Sequence, residues 1–111
     1  MAAARDPDAS RTKRIETVLK AMSAGKASDQ AAVLTAGALR DFRDHVVSEL
    51  VGVVNVSYVA EEDVSDRGLN RHDGAVAKIV YVKAMIRGQP RYVLVHITRD
   101  GVITDYDVVE R

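Results

Sequence analysis

The chain has 111 residues, a mass of 12.1 kDa, no cysteine, and sixteen basic against sixteen acidic side chains. That length suits one domain with its own core and is too short for two, and the charge balance leaves no global field to draw the protein onto nucleic acid or an anionic membrane. Without cysteine there is no disulfide, thiolate nucleophile or cysteine metal site, and no apolar run nears the roughly 20 residues that span a bilayer.

Residues 1–10 lack periodicity and contain Pro7, so they read as a loose arm ahead of a single domain over residues 11–111. The start, Met1-Ala-Ala-Ala-Arg-Asp-Pro-Asp, has no hydrophobic signal core. As written the protein is therefore expected to be soluble and cytoplasmic; the alternative is an exported protein whose signal peptide has been removed. Arg11, Lys13, Arg14 and Lys20 form a basic run, but Asp6, Asp8 and Glu16 sit beside it, which fits a solvated helix face.

Ile15, Val18, Leu19 and Met22 follow the i, i+3, i+4, i+7 spacing of one helical face, and Gly25 marks a stop. Ser28 and Asp29 can cap a short connector through about Leu34. The longest helical pattern places Leu39, Phe42, Val46, Leu50 and Val53 on one stripe, with Arg40, Asp41, Arg43, Asp44 and Glu49 largely elsewhere. It predicts the helix that lies across a sheet, with Phe42 as a core plug and His45 at its boundary.

From Val54 the period changes to two, and Val54, Val56, Tyr58 and Ala60 alternate with Asn55, Ser57, Val59 and Glu61 in a first strand. Asn55-Val56-Ser57 matches a glycosylation acceptor, but one that would lie inside a strand. The polar stretch from Ser65 to Gly74 ends in an Asp73-Gly74 turn signal and has room for a short strand from Leu69 to His72. Arg67, Arg71 and His72 on this loop are candidate anion ligands; a solvated hairpin loop is the alternative.

Residues 75–111 read as two successive hairpins. A two-residue Gly88-Gln89 loop places Tyr81 opposite His96, Val82 opposite Val95 and Ala84 opposite Val93. A two-residue Asp100-Gly101 loop places His96 opposite Asp105, Val95 opposite Tyr106 and Val93 opposite Val108. One face then collects Val80, Val82, Ala84, Val93, Val95, Ile97, Tyr106 and Val108, the layer that must meet the helices. The other carries Ile79, Tyr81, Lys83, Met85, Tyr92, Leu94, His96, Asp105 and Asp107.

Two functions compete for that mixed face. Tyr81, Met85, Tyr92 and Leu94 form an apolar patch expected to be an interface, most economically that of a symmetric homodimer, unless the arm or the first helix folds over it. The alternative is acid-base catalysis, with Tyr81, His96 and Asp105 in a row across three strands. That row depends on the turn type, because a three-residue Arg99-Asp100-Gly101 loop with a bulge would turn Tyr106 toward His96. His45, His72 and His96 lie on separate elements, no phosphate loop follows a strand, and no serine sits in a nucleophile elbow. No metal or other cofactor is expected, and a small-molecule ligand is possible.

A helical start followed by a bent antiparallel meander, with Val54-Asn-Val-Ser-Tyr-Val, Gly68-Leu-Asn-Arg-His-Asp-Gly and Arg91-Tyr-Val-Leu-Val-His-Ile-Thr-Arg-Asp-Gly-Val-Ile-Thr-Asp-Tyr-Asp, resembles small cystatin-like/NTF2-like domains. It is also similar to accessory domains of that kind attached to bacterial serine hydrolases. The resemblance covers roughly residues 12–110 and rests on element order and strand texture. It implies an α+β half-cone, dimerisation through the sheet, and members that are binding modules or small isomerases and hydrolases; the chain is short for a full cone, so a reduced sheet of four to five strands is expected. In this chain the expected concave face is aliphatic, with no carboxylate pointing inward, which favours a binding or assembly module over an enzyme; fold alone assigns no activity.

Overall fold

The computed structural model describes residues 5–43 and 45–109; residues 1–4 of the expected arm, Asp44, and the last two residues of the expected domain lie outside it. The architecture is α+β. Helix α1 (Ala9–Ser23) and helix α2 (Ala36–Phe42) precede a four-stranded antiparallel sheet of β1 (Val54–Asp63), β4 (Lys78–Ile86), β5 (Gln89–Ile97) and β6 (Ile103–Val109). A small hairpin, β2 (Asn70–Arg71) and β3 (Gly74–Ala75), is inserted between the first two strands of that meander.

Helix α1 starts where Asp8 accepts the backbone N–H of Arg11, a cap of the kind that contributes about 1 kcal/mol. It stops where Gly25 takes a left-handed φ of 72°, so that Lys26 N–H reaches Ala21 O and Gly25 N–H reaches Met22 O. Between these caps Ile15, Val18, Leu19 and Met22 are all buried in one core with the aliphatic sheet face, as their spacing requires.

The expected long third helix is not formed. Helix α2 ends at Phe42, and between it and the sheet the described residues form a single 3₁₀ turn, Ser48–Leu50. The β-branched pair Val46-Val47 is a poor helix former, and Val47 N–H bonds instead to Met22 O at the end of α1, leaving Val46 exposed. Leu50 and Val53 still reach the core, without helical geometry. The longest helix is therefore α1.

Strand pairing preserves the expected faces but not every expected row. The β4–β5 loop is Arg87-Gly88, both at positive φ as a type I′ turn requires, rather than Gly88-Gln89. The strands are thereby displaced by two residues from the expected register. Because side chains alternate with period two, Val80, Val82, Ala84, Val93, Val95 and Ile97 stay on the buried face. Across the strands, however, Tyr81 now pairs with Leu94, and His96 pairs with Ile79.

The β5–β6 connection differs in another way. Thr98 N–H bonds to Val102 O across a three-residue Arg99-Asp100-Gly101 loop, and the ladder then takes in Thr104 as an extra residue between the Ile97–Ile103 and His96–Asp105 pairs. The longer loop and the bulge offset each other. His96 opposite Asp105, Val95 opposite Tyr106 and Val93 opposite Val108 stand as expected.

Both sheet edges are interrupted. Strand β1 has register shifts between Val54 and Ser57 and between Tyr58 and Ala60, and Glu16 of α1 accepts the Val56 N–H. The second shift turns Glu61 inward opposite Val80, correcting the expectation that no carboxylate points toward the helices. At the other edge Leu34 bridges Ile103 in parallel, and Thr35 N–H bonds to Ile103 O.

Candidate functional site

The turn of the inserted hairpin is His72-Asp73, both at positive φ, rather than Asp73-Gly74. Gly37 and Gly74 let the hairpin backbone lie directly against α2 and β6. The bulged Thr104 anchors it there, donating its hydroxyl to Arg71 O. Thr35, the cap of α2, donates to His72 O at 3.1 Å.

This packing brings loop and sheet candidates together around Asp105. Its Oδ2 is 2.7 Å from Arg71 Nη1, while its Oδ1 accepts the Tyr106 N–H at 2.8 Å and lies 3.5 Å from His72 Nδ1. His72 Nδ1 also faces Thr104 O at 3.0 Å, and its Nε2 faces Asp41 of α2 at 3.1 Å. The imidazole packs edge-on against Phe42, with ring centroids 5.1 Å apart. Phe42 in turn contacts Tyr106.

His96 is buried beside this group, with Nε2 3.3 Å from Asp107 and Nδ1 without a hydrogen-bond partner. Burial, reinforced by the Arg71 charge, holds its imidazole below the ordinary histidine range against the opposing pull of Asp107 and Asp105. The ring is thus neutral at neutral pH, and the carboxylate nearest to it is Asp107; Asp105 is committed to Arg71, His72 and the backbone.

Tyr81 and Arg67 belong to a different group. Tyr81 donates to Glu62 at 3.2 Å, and Arg67 grips the same carboxylate at 2.7 Å. The Tyr81, His96, Asp105 row is therefore not assembled: the two-residue displacement of β4 against β5 moves Tyr81 one pair along the sheet, beside Leu94. Of the anion-ligand candidates, Arg71 and His72 meet at Asp105, and Arg67 does not join them.

Glu62, Asp41 and Thr104 have no local signature in sequence. The first becomes a partner through the bulge in β1, the second because the inserted hairpin docks on α2 at Gly37, and the third through its own bulge. On the helix-facing side, Glu61 is held between Arg11 of α1 and Lys78 of β4, and Tyr58 also donates to it. Chiefly the Arg11 hydrogen bond, against the cost of burial, brings that carboxyl down to about 2.

Beside these groups the outer sheet face has an open apolar stretch. Tyr81, Tyr92 and Leu94, with Val59, Ala60 and Val109, line a shallow depression of about 400 Å³. Met85 lies one row further on, between Val54 and Pro90. Helix α1 packs on the opposite face of the sheet, in the core with Val80 and Val82, and does not cover this patch.

Among the described residues no group of three or more His, Asp or Glu side chains is placed to hold a metal ion, and no helix is long and apolar enough to cross a membrane. No protein-family model, curated protein or solved structure matches the chain.

Proposed function

We propose that the protein is a binding or assembly module of the cystatin-like/NTF2-like kind, pairing with a second copy of itself through the outer face of its sheet. The observation that carries this reading is the contiguous patch of Tyr81, Tyr92 and Leu94 with Val59, Ala60 and Val109, which the helices leave open. Interfaces are enriched in aromatic side chains, and the two tyrosines of this patch are anchored on strands rather than on loops. The His96 group offers much less to a ligand, because the ring is buried and the nearby carboxylates are engaged by Arg71 and His72.

Sedimentation equilibrium over a wide concentration range tests this. A mass moving toward twice the chain mass in the wild type, and a monomer with an unchanged circular dichroism spectrum in Leu94→Asp, are the expected results. A strict monomer at every concentration removes the self-pairing reading, and an unfolded Leu94→Asp removes the assignment of Leu94 to an open face.

A further inference from the structure

Two charges frame the outer apolar patch from opposite corners. Lys83 on β4 pairs across the sheet with Tyr92, and Tyr92 with Val109. One row along, Tyr81 pairs with Leu94, and Leu94 with Asp107 on β6. Lys83 is exposed and makes no ion pair among the described residues. Asp107 stays about half exposed, with Arg71 3.8 Å and His96 3.3 Å away. Two strand spacings and one two-residue step separate the two backbones by about 12 Å. The midpoint between them falls on β5, between Tyr92 and Leu94.

We infer that two copies associate through this face about a two-fold axis running in the interface over that midpoint, so that Lys83 of each copy meets Asp107 of the other; this rests on the self-pairing reading proposed above. A two-fold makes every contact twice, so one choice of axis direction forms both pairs and buries Tyr92 and Leu94 of both copies at the centre. An axis along β5 would instead set each Lys83 over the other copy's Val109, and an axis perpendicular to the strands would set it over Tyr81. Both strand a cation on an apolar surface, which costs desolvation without a partner. The charge-matched axis makes the strands of the two copies cross at about 70°, nearer to orthogonal than to aligned sheet packing.

The experiment is sedimentation equilibrium on the full chain for the wild type, Lys83→Glu, Asp107→Lys, the double reversal and Leu94→Asp. Each single reversal sets two like-charged pairs across the interface and is expected to raise the dimer dissociation constant at least tenfold; the double reversal should return it to within about threefold of the wild type. Asp107→Lys also sets a cation beside Arg71, so thermal melts accompany the series. If that variant and the double reversal do not fold, Lys83→Glu decides alone, because Lys83 touches no other charge. Single reversals that leave the dimer unchanged while Leu94→Asp dissociates it overturn the orientation and leave the face intact. A wild type that never dimerises, or a Leu94→Asp that keeps the dimer, overturns the face and the orientation together.

Discussion

Gly37 of α2 lies so close to His72 that a Cβ on residue 37 would stand 2.1 Å from the His72 carbonyl oxygen. The contact is backbone against backbone, so no side-chain rotation relieves it. It fixes the inserted hairpin against α2, and with it the place of Arg71 over Asp105.

Gly37→Ala should therefore cost about 2 kcal/mol or more, within the range for overpacking a close contact. The loss should be concentrated in the hairpin. Amide exchange at Val76, which bonds to Leu69 O, is expected to accelerate more than exchange at the central β4 and β5 amides. Equal acceleration everywhere would mean that the hairpin does not open separately from the sheet.

The buried His96 makes stability depend on pH on the mildly acid side. Its ordinary value is 6.5, and burial lowers it in the folded protein. Below about 6.5 the unfolded chain binds the proton more readily, so stability should fall as the pH drops from 7 toward 5, with a slope of at most about 1.4 kcal/mol per pH unit. Urea unfolding of the wild type and His96→Gln at several pH values checks this. The variant should lose the slope, and a wild type whose stability is flat over that interval would contradict the burial of a neutral ring.

Glu61 acts in a second, lower window. Held by Arg11 and Lys78, it titrates at about 2 instead of the usual 4.5. A depressed carboxyl contributes its full stabilisation above 4.5 and loses it as the pH falls through 2. After solvent screening that contribution is about 1–2 kcal/mol. Glu61→Gln should be less stable than the wild type at pH 6, with the gap closing as the pH approaches 2. A gap that stays constant would assign the loss to packing.

The parts of the fold legible in the sequence are those governed by period alone. Ile15, Val18, Leu19 and Met22 declare α1 because one buried stripe is enough to define it. The two sheet faces are as expected although the turn is Arg87-Gly88, because the β4–β5 displacement is two residues and an even displacement keeps each side chain on its side. Rows across the sheet have no such protection, so Tyr81 and His96 part company while remaining on the same face. The third helix fails because its stripe repeats correctly through Val46-Val47, where local propensity and the bond to Met22 O prevail over pattern. The cluster at Asp105 is assembled by a four-residue pairing of β2 with β3, docked through glycines and a bulge. Its partners are brought together by tertiary packing, and neither Arg71 nor Asp105 announces the other along the chain.

The interrupted edges limit how this protein can associate. Sheets propagate sideways through unpaired strand edges, and repeated addition there gives open-ended fibres. Here β1 is broken by two irregularities and has one amide taken by Glu16, while β6 is closed at its start by Leu34 and Thr35. On the self-pairing reading proposed above, association uses a face, and a face covered once by its own symmetry mate is used up. Association of this chain should accordingly saturate at a pair, and raising its concentration should fill that state without building anything longer.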